Sequence, residues 1–422
     1  MQSMDTRITP TDIQGTITIP GSKSQTIRAL LIATFSKGKS RIENALFSQD
    51  TIACIKACEA FGARITEKDT TLLVNATDVG SDGTPLSIDC ANSGTTLYLA
   101  AGLAASLGKE ITFTGDEQLC RRPIGPLLRA FSDLGAIVTL SDYPPFTIQG
   151  PLKGGSTSID CPTSQYLSSL LLAAVLSKGD CEITTPLLYE KPYVRLTLAW
   201  LDSQHTNYHI SKDLQHSCVA GNQQLYPIDV TIPGDYSSAT FFFCLAAISA
   251  TTLTIQGLDP DDTQGDRHVL DILAKMGCTY SWKGHSITIT GPQKLKPCTF
   301  SLNEMPDALP ALAITACFCN GTSEIIDTPQ ARLKETDRIA TMHANLNRLG
   351  AETEERPAGL VIHGTGKLNG GTVEGYGDHR IIMAMAIGGI RAESPVTIKG
   401  SDACAVTFPT FFTLLESLRQ KH

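Results

Sequence analysis

The sequence has no excess of positive charge and no long apolar run. Its 422 residues carry a formal net charge of −8 at pH 7. A nucleic-acid partner is therefore not expected, because binding to a phosphate backbone requires a basic face. No apolar stretch approaches the roughly 20 residues of a membrane span, and residues 1–10 lack the basic and then apolar pattern of a secretory signal. We therefore expect no membrane partner and a cytoplasmic location.

The cysteines are not paired in any recognisable pattern. Their number, 13, is odd, and they are scattered through apolar surroundings. Reduced thiols in a cytosol fit this distribution better than a disulfide framework. The sequence contains no C-x-x-C pair, and Cys317 and Cys319 have no histidines at ligand spacing, so no metal site is expected.

The chain repeats one pattern six times at intervals of about 71 residues, a short polar segment followed directly by a run of small apolar residues. Ser, Thr, Asp, Asn and Gly at the start are typical of helix N-termini, and the Ala, Leu and Ile that follow predict buried helices. The six copies are GSKSQTIRALLIA from Gly21, NSGTTLYLAAGLAA from Asn92, TSQYLSSLLLAAVL from Thr163, DYSSATFFFCLAAI from Asp235, MPDALPALAITACF from Met305 and GDHRIIMAMAIGGI from Gly377.

Alternating stretches that end at glycine, such as ITFTG, FTIQG, LTIQG, SITITG, LVIHG and VTIKG, predict strands followed by tight turns. Segments such as IACIKACEAFGA and VLDILAKMGC predict a second, amphipathic helix. A chain of this length exceeds one hydrophobic core, so we expect an α/β protein with two domains of three repeats. The first is expected at 19–232 and the second at 1–18 and 233–422, if the N-terminal strand segment joins it. Helix N-termini aimed at a common cleft would attract anions.

Short motifs in the polar segments support a more specific interpretation. They are PGSKS at 20–24, NSGT at 92–95, RPIG at 122–125, SQ at 164–165, KPY at 191–193, PD at 306–307, LKETDR at 333–338 and GDHR at 377–380. In this order, and over essentially the full length, the sequence resembles the 5-enolpyruvylshikimate-3-phosphate synthase family. The resemblance implies two inside-out α/β domains, each of three βαβαββ-type repeats, with the active site in the interdomain cleft.

The resemblance also implies an enzyme of the shikimate pathway to chorismate and the aromatic amino acids. Such enzymes transfer the enolpyruvyl group of phosphoenolpyruvate to the 5-hydroxyl of shikimate 3-phosphate and release phosphate, without a metal or organic cofactor. A monomer is expected, and glyphosate is expected to compete with phosphoenolpyruvate because Gly94 is retained.

Individual roles follow from the resemblance at matching positions. The residues implied to bind phosphoenolpyruvate are Lys23, Gly94, Arg122, Gln165, Arg338 and Arg380. Those implied to bind shikimate 3-phosphate are Lys23, Ser24, Arg28, Thr163, Ser164, Gln165, Tyr193, Asp307 and Lys334. Those implied in catalysis are Asp307, Glu335 and Lys23. Cations, hydroxyls and amides suit phosphates and carboxylates, and carboxylates among cations can be tuned to act as acid or base. Which carboxylate serves which step stays open.

The chain departs from the family at several positions. Tyr98 stands where Arg is usual, Ala91 where Gly is usual, and Val406 where many relatives have Lys. Glu190 replaces a Ser near shikimate 3-phosphate, where a second anion would be repulsive, and Arg195 is a hypothetical compensating charge.

Two alternatives stay open. One is the enolpyruvyl transferase of the same fold that acts on UDP-N-acetylglucosamine, which has Lys-Asn where this chain has Lys23 and Ser24. The other is a degenerate homologue that binds anions without catalysis. Arg122 and the KETDR and DHR motifs favour the shikimate enzyme over the first alternative. The second is disfavoured by an intact set of expected groups, Lys23, Arg122, Asp307, Glu335, Arg338 and Arg380.

Overall fold

The computed structural model describes residues 4–77, 79 and 85–419. The chain forms two compact units. The N-terminal unit is residues 21–232, and the C-terminal unit joins the segment that ends at Pro20 to the segment that begins at Pro233. Each unit contains three of the six sequence repeats.

The α-helices alternate between two kinds. The odd-numbered helices from α1 to α11 coincide with the six apolar segments and are almost entirely buried, whereas α2, α4, α6, α8 and α10 each expose one face. The predicted pairing of a buried with an amphipathic helix is confirmed. In chain order the helices are α1 (Lys23–Phe35), α2 (Gln49–Ala60), α3 (Gly94–Ala104), α4 (Gly125–Asp133), α5 (Ser164–Val175), α6 (Lys191–Ser203), α7 (Tyr236–Ile248), α8 (Val269–Lys275), α9 (Leu309–Cys317), α10 (Arg338–Arg348), α11 (His379–Arg391) and α12 (Phe411–Ser417).

Five of these buried helices begin at a polar side chain that accepts a backbone N–H from the first turn. The capping residues are Ser22, Ser93, Thr163, Asp235 and Asp378. Such caps satisfy N–H groups that a buried helix would otherwise leave without acceptors. The remaining buried helix, α9, has no such cap among the residues described and is instead preceded by a 3-10 turn at Pro306–Ala308.

The strands form six small sheets in the described part of the chain. In chain order they are β1 (Thr6–Ile8), β2 (Gly15–Thr18), β3 (Lys39–Glu43), β4 (Arg64–Lys68), β5 (Thr71–Asn75), β6 (Leu86–Asp89), β7 (Ile111–Thr114), β8 (Ile137–Val138), β9 (Phe146–Gln149), β10 (Gly155–Ser158), β11 (Cys181–Thr184), β12 (Tyr208–Ile210), β13 (His216–Val219), β14 (Asp229–Thr231), β15 (Thr252–Gln256), β16 (Thr279–Lys283), β17 (Ser286–Thr290), β18 (Thr299–Ser301), β19 (Asn320–Ile326), β20 (Glu352–Arg356), β21 (Gly359–Thr365), β22 (Gly371–Glu374) and β23 (Val396–Lys399).

The four-stranded sheets share one topology, a parallel strand pair extended by two antiparallel strands, and the three-stranded sheet has a parallel pair extended by one antiparallel strand. The N-terminal unit has the orders β14-β3-β5-β4, β6-β7-β9-β8 and β10-β11-β13-β12. The C-terminal unit has β16-β17-β15-β2, β18-β19-β21-β20 and the three-stranded β1-β23-β22. Strands β1 and β2 pair with β23 and β15, so the N-terminal segment completes two sheets of the C-terminal unit. Strand β14 pairs with β3 and completes the first sheet of the N-terminal unit.

Two further observations concern the described part of the chain. None of its helices is both long enough and apolar enough to cross a membrane. All 13 cysteines are free thiols, and most of them are buried.

Helices α3 and α5 pack so closely that Gly102 lies against the backbone of its neighbour. A Cβ atom at Gly102 would be 2.5 Å from the carbonyl oxygen of Ser169 and 2.6 Å from its Oγ. The same Ser169 hydroxyl donates a hydrogen bond to the carbonyl of Tyr98 at 2.5 Å. The core of the N-terminal unit therefore depends on the absence of a side chain at this crossing.

We expect Gly102→Ala to lower the free energy of unfolding by about 1–3 kcal/mol, because the added methyl group forces two helix backbones apart. Urea unfolding followed by circular dichroism measures the effect. Gly108→Ala is the matched control, since a Cβ atom there would meet nothing closer than 4.0 Å. Equal unfolding midpoints for the two variants would contradict this close packing of α3 against α5.

Candidate active site

The predicted site residues lie near the starts of helices in both units. In the N-terminal unit, Lys23, Ser24 and Arg28 lie on α1, Gly94 begins α3, Arg122 precedes α4, Thr163, Ser164 and Gln165 begin α5, and Tyr193 lies on α6. In the C-terminal unit, Asp307 precedes α9, Lys334 and Glu335 precede α10, Arg338 begins α10, and Arg380 lies in the first turn of α11.

Arg338 is the centre of the cluster in the C-terminal unit. Its Nη1 lies 2.7 Å from Oδ1 of Asp307, its Nε lies 2.8 Å from Oδ2 of Asp378, and its Nη2 contacts Glu335. Arg380 contacts the other oxygen of Asp307, with Nη2 2.9 Å from Oδ2. The side chains of Arg338 and Asp378 are 1% and 0% exposed, so this ion pair is fully withdrawn from water.

Local structure explains how the LKETDR and GDHR segments present these groups. Asp337 caps α10 by accepting the backbone N–H of Ala340 at 3.0 Å, which leaves Glu335 to face Arg338. Asp378 caps α11 by accepting the backbone N–H of Arg380 at 2.8 Å while its other oxygen binds Arg338. One capping residue thus aligns both arginines.

The charges around Asp307 determine whether its carboxyl group is ionised. Burial raises the pKa of Asp307, but the positive charges of Arg380, Lys334 and Arg338 outweigh burial and hold the pKa well below its ordinary value. Burial also opposes the charge on Arg338, yet Asp378, Glu335 and Asp307 raise its pKa above the usual range. Asp307 is therefore an ionised carboxylate at neutral pH, which can accept a proton but has none to donate.

Lys23 in the N-terminal unit has a partner that sequence reasoning missed. Its Nζ lies 3.0 Å from Oδ2 of Asp50, and the two side chains are 15% and 6% exposed. Asp50 lies in the first turn of α2 after the cap Ser48, where an acidic residue is ordinary in any helix. The other oxygen of Asp50 is buried and has no hydrogen-bond partner among the described residues.

Arg28 is buried between α1 and α6. Its Nε donates to Oγ1 of Thr197 at 2.9 Å, and its two terminal nitrogens donate to the carbonyls of Ser24 and Tyr193 at 3.0 and 3.3 Å. Burial lowers the pKa of Arg28 to about 10, so the guanidinium stays charged at neutral pH. A guanidinium has five N–H donors, and these three bonds therefore fix its position without using all of them.

Gly94 and Arg122 are in direct contact. A Cβ atom at Gly94 would lie 2.6 Å from Nη1 of Arg122, and Nη2 of Arg122 lies 3.4 Å from Oδ1 of Asn92. The next residue, Pro123, accepts hydrogen bonds through its carbonyl from the hydroxyls of Tyr98 at 3.0 Å and Tyr166 at 2.6 Å. Tyr98, where Arg is usual, therefore supports the segment that carries Arg122.

Two other departures have structural consequences. Ala91 has φ of 49°, a left-handed backbone conformation that glycine adopts without penalty and alanine at roughly 1 kcal/mol. Val406 ends a short 3-10 helix, Ser401–Val406, and contributes no charge where many relatives have a lysine.

The start of α5 is occupied by Glu190. Thr163 caps the helix, and both the backbone N–H and the hydroxyl of Ser164 donate to Oε2 of Glu190, at 3.2 and 3.0 Å. Gln165 follows, with its Oε1 buried and without a hydrogen-bond partner in the described part of the chain. Glu190 is 2% exposed, whereas Arg195 lies on the exposed face of α6.

These clusters combine guanidinium, ammonium, hydroxyl and helix N-terminal donors with ionised carboxylates, a set of groups that suits small anionic substrates. The fold defines an α/β protein of six repeats, and each of its two units carries a cluster of groups that suits anions. The family model of EPSP synthase (3-phosphoshikimate 1-carboxyvinyltransferase) matches residues 8–415. The chain belongs to this family.

Individual relatives agree with the family match. The chain is 43% identical over 414 residues to a 3-phosphoshikimate 1-carboxyvinyltransferase of Ruminiclostridium cellulolyticum, with 97% of both chains covered. It is 42% identical to the protein of the same name from Acetivibrio thermocellus, with 95% of both covered. The solved EPSP synthase of Acinetobacter baumannii superposes with a TM-score of 0.82 at 26% identity, over 98% of each chain. The predicted fold class and family are confirmed.

We expect Asp378→Asn to lower the free energy of unfolding by about 3–5 kcal/mol, because it removes the negative charge from a buried ion pair and leaves Arg338 under-compensated. The amide oxygen can still cap α11, so the loss comes from the missing charge and from the missing hydrogen bond to Arg338. Chemical unfolding measures the effect, with the exposed Asp261→Asn as control. A variant as stable as the control would show that Arg338 does not need this partner.

Proposed function

We propose that the chain is a 3-phosphoshikimate 1-carboxyvinyltransferase, which transfers the enolpyruvyl group of phosphoenolpyruvate to the 5-hydroxyl of shikimate 3-phosphate and releases inorganic phosphate. The observation that carries the proposal is the paired contact of Asp307 with Arg338 and Arg380, an ionised base held between two guanidinium groups. Family membership and relatives that bear this name support the same conclusion.

We assign the binding of phosphoenolpyruvate to Lys23, Gly94, Arg122, Gln165, Arg338 and Arg380. We assign the binding of shikimate 3-phosphate to Lys23, Ser24, Arg28, Thr163, Ser164, Gln165, Tyr193, Asp307 and Lys334. Guanidinium groups grip oxyanions in a bidentate manner, and the same groups stabilise charge on the departing phosphate. The Oε1 of Gln165 is buried and has no hydrogen-bond partner among the described residues, which supports a contact with a donor such as a hydroxyl of shikimate 3-phosphate.

The reaction needs a proton acceptor and a proton donor. The 5-hydroxyl oxygen bonds to C2 of phosphoenolpyruvate while its proton leaves and C3 gains a proton. In the second half, C3 loses a proton and the C2–O bond to phosphate breaks. Asp307 is assigned to accept the hydroxyl proton because it is an ionised carboxylate with no proton of its own to donate. Glu335 and Lys23 are the candidates for the protonation of C3.

The remaining features of the proposal are a monomeric, cytoplasmic enzyme that uses no metal or organic cofactor. The reaction is an addition followed by an elimination, so neither half requires an oxidant or an electron sink. The free state of all 13 cysteines supports a reducing compartment.

The direct test is release of phosphate by the purified chain. Release is expected only when phosphoenolpyruvate and shikimate 3-phosphate are both present, and it is expected to fall at least about 100-fold in Asp307→Asn and Arg122→Ala, since each variant removes a group that acts on the transition state. Asp261→Asn is the control for charge, and circular dichroism confirms folding. No release by folded wild-type protein would instead support the degenerate homologue. Release with UDP-N-acetylglucosamine as acceptor would support the other transferase.

The contact between Gly94 and Arg122 gives a second test. Gly94→Ala is expected to raise the KM for phosphoenolpyruvate by about 10- to 100-fold. The added methyl group would displace the Arg122 guanidinium by about 1 Å, and a misplacement of this size can cost about 100-fold. The KM for shikimate 3-phosphate should change little. Gly108→Ala is the matched control. An unchanged KM for phosphoenolpyruvate would remove Arg122 from the proposed binding set.

A further inference from the structure

A buried carboxylate occupies the donors at the start of α5. Oε2 of Glu190 accepts the backbone N–H of Ser164 at 3.2 Å, the Ser164 hydroxyl at 3.0 Å and the Thr163 hydroxyl at 3.4 Å. The helix is 12 residues long, so its N-terminus carries a positive partial charge in addition to these donors. Three donors that converge on one oxygen at a helix N-terminus would equally suit an oxygen of a phosphate group.

The backbone of Glu190 is held so that the side chain reaches α5. Its φ and ψ are 57° and 39°, a left-handed conformation that costs roughly 1 kcal/mol for a residue with a Cβ atom. Glu190 directly precedes α6, yet its side chain makes no capping hydrogen bond to that helix. The backbone N–H of Tyr189 donates to the carbonyl of Cys161 at 3.1 Å, which ties this segment beside the start of α5.

The same donors belong to the proposed binding set for shikimate 3-phosphate, so the inference rests on the proposed function. A carboxylate and a substrate phosphate cannot both accept from Thr163 and Ser164. Two anions this close in a buried site also repel each other. The Glu190 side chain therefore has to leave the α5 donors before a substrate phosphate can take them.

We propose that Glu190 is an internal competitor for the phosphate donors of α5, and that it determines the affinity of the enzyme for shikimate 3-phosphate. The carboxylate takes the place of the substrate anion in the free protein and is displaced on binding. The contact acts on substrate binding and not on the reacting atoms, so it raises KM while it leaves kcat largely unchanged.

A purely structural role predicts the opposite result. If Glu190 only stabilised the start of α5, its removal would lower stability and leave the KM for shikimate 3-phosphate unchanged or higher. Glu190→Ser removes the carboxylate, and Glu190→Gln keeps the length and one oxygen acceptor but removes the charge. Glu182→Gln on β11 is the matched control, because Glu182 is an exposed glutamate of the same repeat.

The experiment compares the kinetics of these variants. Glu190→Ser is expected to lower the KM for shikimate 3-phosphate about tenfold, which corresponds to the loss of about 1.4 kcal/mol of competition. Glu190→Gln should lower this KM as well, whereas Glu182→Gln should not. The kcat and the KM for phosphoenolpyruvate should stay near the wild-type values. If neither Glu190 variant lowers the KM for shikimate 3-phosphate, the inference is wrong.

A second measurement separates this inference from the proposed function. If the wild-type chain shows no turnover, the proposed function fails, but calorimetric titration with inorganic phosphate still tests the competition. Glu190→Ser should then bind inorganic phosphate about tenfold more tightly than the wild type. Equal affinity of the two proteins for phosphate would overturn the inference.

Discussion

Each repeat buries a helix on all sides, and the N–H groups of its first turn must find acceptors other than water. This constraint places a polar residue at the same point of five of the six repeats. Ser22, Ser93, Thr163, Asp235 and Asp378 meet it with side chains that cap their own helices. The positive N-terminal ends of these helices are also where a bound anion is stabilised most strongly. The residues that allow the fold to bury its helices therefore stand beside the residues assigned to the chemistry.

The cluster around Arg338 extends this relation from hydrogen bonds to full charges. Three carboxylates, Asp307, Glu335 and Asp378, contact Arg338, and Arg380 shares Asp307. Fully buried charges are tolerated only when they are paired and hydrogen-bonded, so the arginines are fixed in position before any substrate arrives. This preorganisation weakens the binding of an anionic substrate, because the anion must replace part of the interaction that Asp307 already makes with Arg338 and Arg380. The start of α5 is similar, because the carboxylate of Glu190 already accepts from the donors there.

The fold could be predicted from the sequence for identifiable reasons, whereas the arginines of the candidate site were implied only by the resemblance to a family. A helix buried on all sides leaves a run of small apolar residues, and its cap leaves a polar residue before that run, so the six helices could be placed from the sequence. The contacts of Asp50 and Asp378 could not be predicted from the sequence. Both are acidic residues near helix starts, where a cap or a dipole partner is the ordinary interpretation. Asp50 contacts Lys23, which lies 27 positions away in the sequence, and Asp378 contacts Arg338, which lies 40 positions away. Only the folded backbone brings these atoms together.

The departures from the family differ in what they change. Tyr98 substitutes a hydroxyl bond to Pro123 for a guanidinium, and Ala91 adds local backbone strain; neither brings a new charge. Glu190 brings a negative charge and places it on donors that an anion would use. Electrostatic interactions in buried sites are larger than a strained turn or a neutral hydrogen bond. Among these three departures, Glu190 is therefore the one that should change substrate affinity most, while the groups assigned to proton transfer are all retained.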